Sequence, residues 1–142
     1  MSGKFVYVTY IASTPEKVWQ AITKGDVTRQ FWKHENVSDW KAGSKWEHVS
    51  ADGKRTVKIV GKVVESAPNK RLVLTWADPA DRRNESRVTF TLEKVADMVR
   101  LTVLHEDLTP EMLEKIASGW ARVLSSMKSY LETGRVLDTW AE

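Results

Sequence analysis

Hydrophobic and polar positions first alternate in KFVYVTYI, where Phe5, Tyr7, Thr9 and Ile11 share one face and Val6, Val8 and Tyr10 the other. A period of two in β-branched and aromatic residues is the signature of a strand. The period then lengthens. In STPEKVWQAIT the apolar residues Val18, Trp19 and Ile22 fall on one side of a helix. Thr14 as N-cap, Pro15 at the first helical position and Glu16 in the first turn give that helix its start. Gly25 is expected to end it, and Asp26 to cap a second short helix, VTRQFW, which brings Phe31 and Trp32 into one neighbourhood.

From about residue 36 to 106 the period is two again, interrupted by KAGS, ADGK, APNK, ADPADRRN and VADM. These turn signals divide the region into about six strands. In SRVTFTLEK, Val88, Phe90 and Leu92 face inward while Arg87, Thr89, Thr91 and Glu93 face out; VRLTVLH repeats this with Val99, Leu101 and Val103 and carries His105 onto the inner face. RLVLTWA groups Leu72, Leu74 and Trp76, and KWEHV pairs Trp46 with His48, leaving Glu47 on the opposite face. Asp52-Gly53 is a hairpin signal, and Gly61 inside the strand RTVKIVGKVVE predicts a bulge or bend.

The chain closes on HEDLTPEMLEKIASGWARVLSSMKSYLETG, in which Leu113, Ile116, Ala117, Trp120, Leu124, Met127 and Leu131 recur at spacings of three and four. This is one apolar stripe, started by Thr109-Pro110 and stopped by Gly134. A strand, two short helices, a run of strands and a long helix make an α+β domain. Only the last helix has the apolar length to cover the sheet, so a curved antiparallel sheet is expected to wrap around it in a helix-grip arrangement. No repeat or linker divides residues 1–142, and a single domain is expected.

Composition narrows the function. The chain has no cysteine, which excludes disulfides, thiolate metal sites and a cysteine nucleophile. Its net charge of +3 comes from scattered Lys and Arg, and the densest cluster, DRRNESR, carries its own acids. A nucleic-acid footprint would gather that charge on one face, so none is expected. The absence of a signal-peptide pattern or a long apolar run points to a cytoplasmic protein without membrane insertion. There is no HExxH, GxSxG or phosphate-gripping glycine loop. Seven tryptophans against three Phe and three Tyr are the unusual feature, suited to cores and to ligand cavities alike.

In order along the chain, TPEKVWQAIT, TRQFW, SDWKAGSKWEH, VVESAPNKRLVLTWA, SRVTFTLE, VRLTVLHEDL and SGWARVLSSMKSYLETG resemble the activator of Hsp90 ATPase homologue 1-like family of the START-like, or SRPBCC, superfamily. The resemblance spans nearly the whole chain. It implies a START-like (Bet v 1-like) helix-grip fold whose sheet and C-terminal helix enclose an apolar cavity. It implies little about activity. In the eukaryotic activator a separate N-terminal domain makes the principal chaperone contact, and none is expected within these 142 residues. The superfamily holds lipid carriers, hormone receptors and cyclases alike, and fold does not choose among them.

The expected function is binding of an apolar, aromatic or lipid-like small molecule, with a stress-related co-chaperone acting on an Hsp90-type partner as the alternative and a cavity enzyme of cyclase or hydrolase type as the third reading. Inward register and the resemblance together place Trp32, Trp46, His48, Trp76, Phe90, His105, Trp120, Leu124 and Met127 at the ligand. Each histidine is read first as satisfied by a backbone or carboxylate partner, and second as orienting a bound carbonyl or hydroxyl. General acids or bases would come from His34, His48, His105, Glu35, Glu47 and Glu106, but no set among them has catalytic or metal spacing, so no catalytic residue, metal or cofactor is assigned. A homodimer through an exposed sheet edge is a further partner reading. Gly119 weakens the long helix by roughly 1 kcal/mol relative to Ala. Close packing of helix on sheet is its first explanation, and room for a ligand its second.

Overall fold

The computed structural model describes residues 3–139; Trp140 lies outside the described residues. The elements run β1 (Gly3–Ile11), α1 (Pro15–Thr23), α2 (Gly25–Trp32), β2 (His34–Val37), β3 (Lys45–Ser50), β4 (Val57–Ala67), β5 (Arg71–Asp78), β6 (Asp81–Val95), β7 (Met98–Leu108) and α3 (Pro110–Thr133). The strands form one antiparallel sheet in the order β1-β7-β6-β5-β4-β3-β2, and α3 packs on it. The α+β helix-grip expectation and the six strands after the two short helices are therefore found.

Local signals act where the sequence put them. Thr14 Oγ1 accepts from the Lys17 amide at 3.3 Å, and Thr109 Oγ1 from the Met112 amide at 3.2 Å, each satisfying an orphan donor of the first turn. Gly134 ends α3 at φ 79°, a left-handed conformation that glycine adopts without strain.

Two local readings need correction, and a third holds. Gly25 does not stop α1 but opens α2; Lys24 is the residue between the helices, and Asp26 lies in the first turn of α2 rather than capping it. Asp52-Gly53, read as a hairpin signal, does lie in the connection between the antiparallel strands β3 and β4. It sits in a loop spanning 51–56, where the Asp52 carboxylate accepts from Ser50 Oγ at 2.9 Å and from the Lys54 amide at 3.0 Å. The segment ADPADRRN is mostly strand, because only residues 79 and 80 separate β5 from β6. Its polar run reports exposure, while backbone pairing with β5, down to Asp78 opposite Asp81, decides the conformation.

The core forms between α3 and the sheet. Trp120, Val123, Leu124 and Met127 of α3 pack into one cluster with Leu72, Leu74, Val88, Phe90, Leu101 and Val103. At its C-terminal end α3 is tied to β1: Glu132 accepts from the Ala12 amide at 2.8 Å, and Lys128 Nζ donates to the Tyr10 carbonyl at 2.6 Å. The other half differs. Leu113, Ile116 and Ala117 belong to the same apolar stripe but are only half-buried, so the helix is covered less completely toward its start.

Candidate functional site

At the less covered half of α3 an open cleft of about 380 Å³ remains. Trp32 and His34 border it from the end of α2 and the start of β2, His48 from β3, Lys58 and Ile59 from β4, and Trp76 from β5; α3 contributes Lys115, Ile116, Gly119, Trp120 and Val123. The volume lies within the range of small-molecule sites, which are largely apolar with a few placed polar groups.

Its floor is a set of interlocking rings. Trp120 lies 5.6 Å from Trp32 and 5.5 Å from Trp76 between ring centroids, and meets Phe90 edge-on at 5.7 Å. Trp76 in turn contacts Trp46 at 5.4 Å. Tilted and edge-on pairs at these separations are the favoured aromatic geometries. They fill the space between helix and sheet, so the open volume is a cleft above the rings rather than an enclosed chamber between the two layers.

His105 is fully buried beneath this floor. The Trp120 indole N–H donates to its Nδ1 at 3.0 Å, so Nδ1 is unprotonated, and Nε2–H faces Ser86 Oγ at 2.8 Å. Ser86 passes its own hydroxyl proton to the Trp76 carbonyl at 3.1 Å. Every donor in this chain has an acceptor. The histidine is satisfied, as first read, but by Trp120 and Ser86 side chains rather than by backbone or carboxylate. Burial lowers its pKa to about 4. A second ring proton would also point at an indole donor.

His48 reaches the cleft wall under different control. Asn36 Nδ2 donates to the Ile22 carbonyl at 2.8 Å, which leaves Asn36 Oδ1 as the acceptor 2.6 Å from His48 Nδ1. The neutral ring therefore carries its proton on Nδ1 and presents an unprotonated Nε2, a hydrogen-bond acceptor. His34 stacks on it at 4.5 Å with planes 14° apart. Burial first, and electrostatic repulsion from the neighbouring His34 second, depress the His48 pKa to about 3.

These two rings give a pH prediction. In the unfolded chain each histidine takes up a proton near pH 6.5, whereas in the fold each stays neutral down to about 4 and about 3. Their stabilising contribution is complete above pH 6.5 and is lost as the pH falls through that window, by about 1.4 kcal/mol per unit for each group. Urea midpoints should fall between pH 6.5 and 5, above the carboxylate range; a flat profile there would contradict neutral burial of both rings.

Gly119 corrects an expectation. A Cβ added to it would meet nothing within 4 Å among the described residues, so close packing against the sheet is not its reason; it borders the cleft and leaves the helix backbone open to it. Gly119→Ala should therefore stabilise the protein by roughly 0.5–1 kcal/mol, the helix-propensity gain without a clash. A thermal or urea shift in the destabilising direction would show that the site is tighter than this geometry.

Of the residues placed at the ligand by sequence, Trp32, His48, Trp76 and Trp120 border the cleft. Trp46, Phe90, His105, Leu124 and Met127 are buried in the core behind it. The residues placed at the ligand by sequence did not include His34, Lys58, Ile59, Lys115, Ile116 or Val123. Helical spacing could have supplied Ile116 and Val123, which lie four before and three after Trp120. A larger hollow of about 730 Å³ adjoins the cleft at Ile59 and Trp76, and is lined by Asp78, Asp81, Glu85, Asp107 and Glu111 together with Arg83. Among the described residues no group of three or more His, Asp or Glu could hold a metal ion, and no helix is long and apolar enough to cross a membrane.

Comparison with known proteins accords with the fold. Residues 12–132 match the family model described as activator of Hsp90 ATPase homolog 1-like protein. A solution structure of the Aha1 dimer from Colwellia psychrerythraea is 24% identical, with 94% of this chain and 98% of that chain covered and a TM-score of 0.78. An Hsp90 activator from Plasmodium falciparum is 19% identical over 90% of this chain and 95% of its own, at a TM-score of 0.77. MLL2253 from Mesorhizobium loti is 26% identical over 91% of this chain and 96% of its own, at 0.75. No curated protein matches the chain.

Proposed function

The chain belongs to the activator of Hsp90 ATPase homologue 1-like family, and from that premise we propose that it is a binding protein for a small apolar, aromatic ligand held in the cleft beside α3. The observation that carries this reading is the bed of Trp32, Trp76 and Trp120 under an open volume of about 380 Å³, with helix backbone left uncovered at Gly119. A stripe serving only as core would gain stability from a side chain there.

His48 adds selectivity. With Asn36 fixing the proton on Nδ1, its Nε2 can accept from a ligand hydroxyl or N–H but cannot donate to a carbonyl. The cleft thus favours an aromatic compound bearing a donor near the ring edge. Among the described residues its lining holds no hydroxyl or thiol nucleophile, so binding is favoured over turnover.

Native mass spectrometry of gently purified protein, followed by solvent extraction, tests the proposal. A stoichiometric apolar compound that is lost from a cleft-filling Gly119→Leu variant is the expected result. A clean apo mass, together with unchanged tryptophan fluorescence across a panel of apolar aromatics, would contradict it. The second reading, an interaction module for an Hsp90-type chaperone, draws support from the Plasmodium relative's description as an Hsp90 activator. It predicts stimulation of a chaperone's ATPase by the isolated protein. For self-association the favoured surface is β1, an edge strand whose outer face exposes Val6, Val8 and Tyr10.

A further inference from the structure

A β-bulge decides the charge of the cleft. Across the β3–β4 pair His48 faces Ile59 while the next residue, Val49, faces Val57, so Lys58 is the one extra residue in β4. Strict alternation would send Lys58 to the face opposite Ile59. Instead both border the cleft. Bulges re-aim side chains in this way, and they recur next to functional sites.

The opposite wall supplies a second lysine, Lys115, from the half-covered part of α3. Among the described residues neither Lys58 nor Lys115 forms an ion pair, although Glu111 lies one helical turn from Lys115. Among the described residues no carboxylate borders the cleft itself. The acids gather in the adjoining hollow, beyond Ile59 and Trp76. An apolar bed with two cations at its rim and acids at one end defines a polarity for whatever lies in it.

We infer that the cleft takes an aromatic carboxylate, its rings on Trp32, Trp76 and Trp120 and its carboxylate turned to Lys58 and Lys115, away from the acidic hollow. This rests on the ligand-binding reading above and adds the charge class of the ligand. A carboxylate is favoured over a neutral or cationic aromatic because the two ammonium groups lie on the lining without an anionic partner among the described residues, and a cation would meet them unscreened. Each ammonium is solvent-exposed, so each adds a modest increment rather than a dominant one.

The test is a titration of tryptophan fluorescence with a matched set of probes, 1-naphthoic acid, its methyl ester and 1-naphthylmethylammonium, at low salt. The acid is expected to bind about tenfold more tightly than the ester, with the ammonium weakest and the preference shrinking as salt is added. In Lys58→Met/Lys115→Met the acid should bind no better than the ester. Lys94→Met, in the β6–β7 hairpin, should keep the preference. Circular dichroism of each variant separates lost binding from lost fold. Equal affinity for acid and ester in the unaltered protein would overturn the charge inference and leave the apolar-ligand reading standing. Binding by none of the three would overturn both. A fluorescence change that follows protein concentration, without any probe, would mean that a second copy covers the cleft, and would also overturn it.

Discussion

Trp120→Ala should destabilise the protein by about 3–5 kcal/mol, the range for deleting a packed aromatic side chain. The residue is 3% exposed and lies among Trp32, Trp76 and Phe90, so its removal leaves a void bounded by rings that the sheet holds in place. The same change takes away the N–H that His105 Nδ1 accepts, leaving a buried acceptor without a partner. Urea denaturation checks the magnitude. A loss below about 1 kcal/mol would mean that Trp120 borders open space on most sides, since a truncation beside an existing void forfeits few contacts. Trp120→Phe separates the two contributions: most of the ring volume stays, the donor goes, and the His105 pKa should rise from its depressed value because a proton on Nδ1 no longer faces an indole donor.

Gly61→Ala is expected to cost about 3–4 kcal/mol, combining overpacking with a lost, partly buried hydrogen bond. An added Cβ would run into the Thr75 carbonyl and lie 2.5 Å from the Trp46 Nε1. Those two atoms are hydrogen-bonded to each other at 2.7 Å, across the face of β4. The glycine is thus a window through which β3 holds β5. The substitution must push the strand away or break the bond, and either disturbs Trp46 and its neighbour Trp76. Comparable midpoints for variant and parent would show that β4 yields without cost.

Much of the architecture was legible because independent local rules agreed. In α3 the cap at Thr109, the stripe through Trp120 and the stop at Gly134 all specify one helix. In β6 and β7 the alternation placed Val88, Phe90, Val103 and His105 on the inner face, and all four are buried. Gly61 announced itself as exceptional, but only the folded sheet brings Thr75 and Trp46 to it. Gly25 misled because a glycine between two helices can end one or begin the next, and the choice depends on how α2 meets β2.

The candidate site was legible only in part. Periodicity identifies inward residues, but it cannot tell which inward residues touch open space. Trp46, Phe90, Leu124 and Met127 face inward as firmly as Trp76 and Trp120, yet they lie behind the rings that form the cleft floor. Lys58 was out of reach for a different reason. Its placement comes from a register shift in pairing, which a period of two applied to β4 alone assigns to the wrong face. Gly119 carried a readable signal, a helix-weakening residue within an apolar stripe, but space and close contact demand the same residue there.

The most direct measurement of the central claim is a pair of proton–nitrogen correlation spectra, recorded with and without methyl 1-naphthoate, in which each indole N–H gives its own signal. The account predicts shifts at the Trp32, Trp76 and Trp120 indoles and at the Gly119 amide, with Trp19 and Trp40, which do not border the cleft, unmoved. Saturable shifts confined to other residues, or none at any concentration, would contradict it.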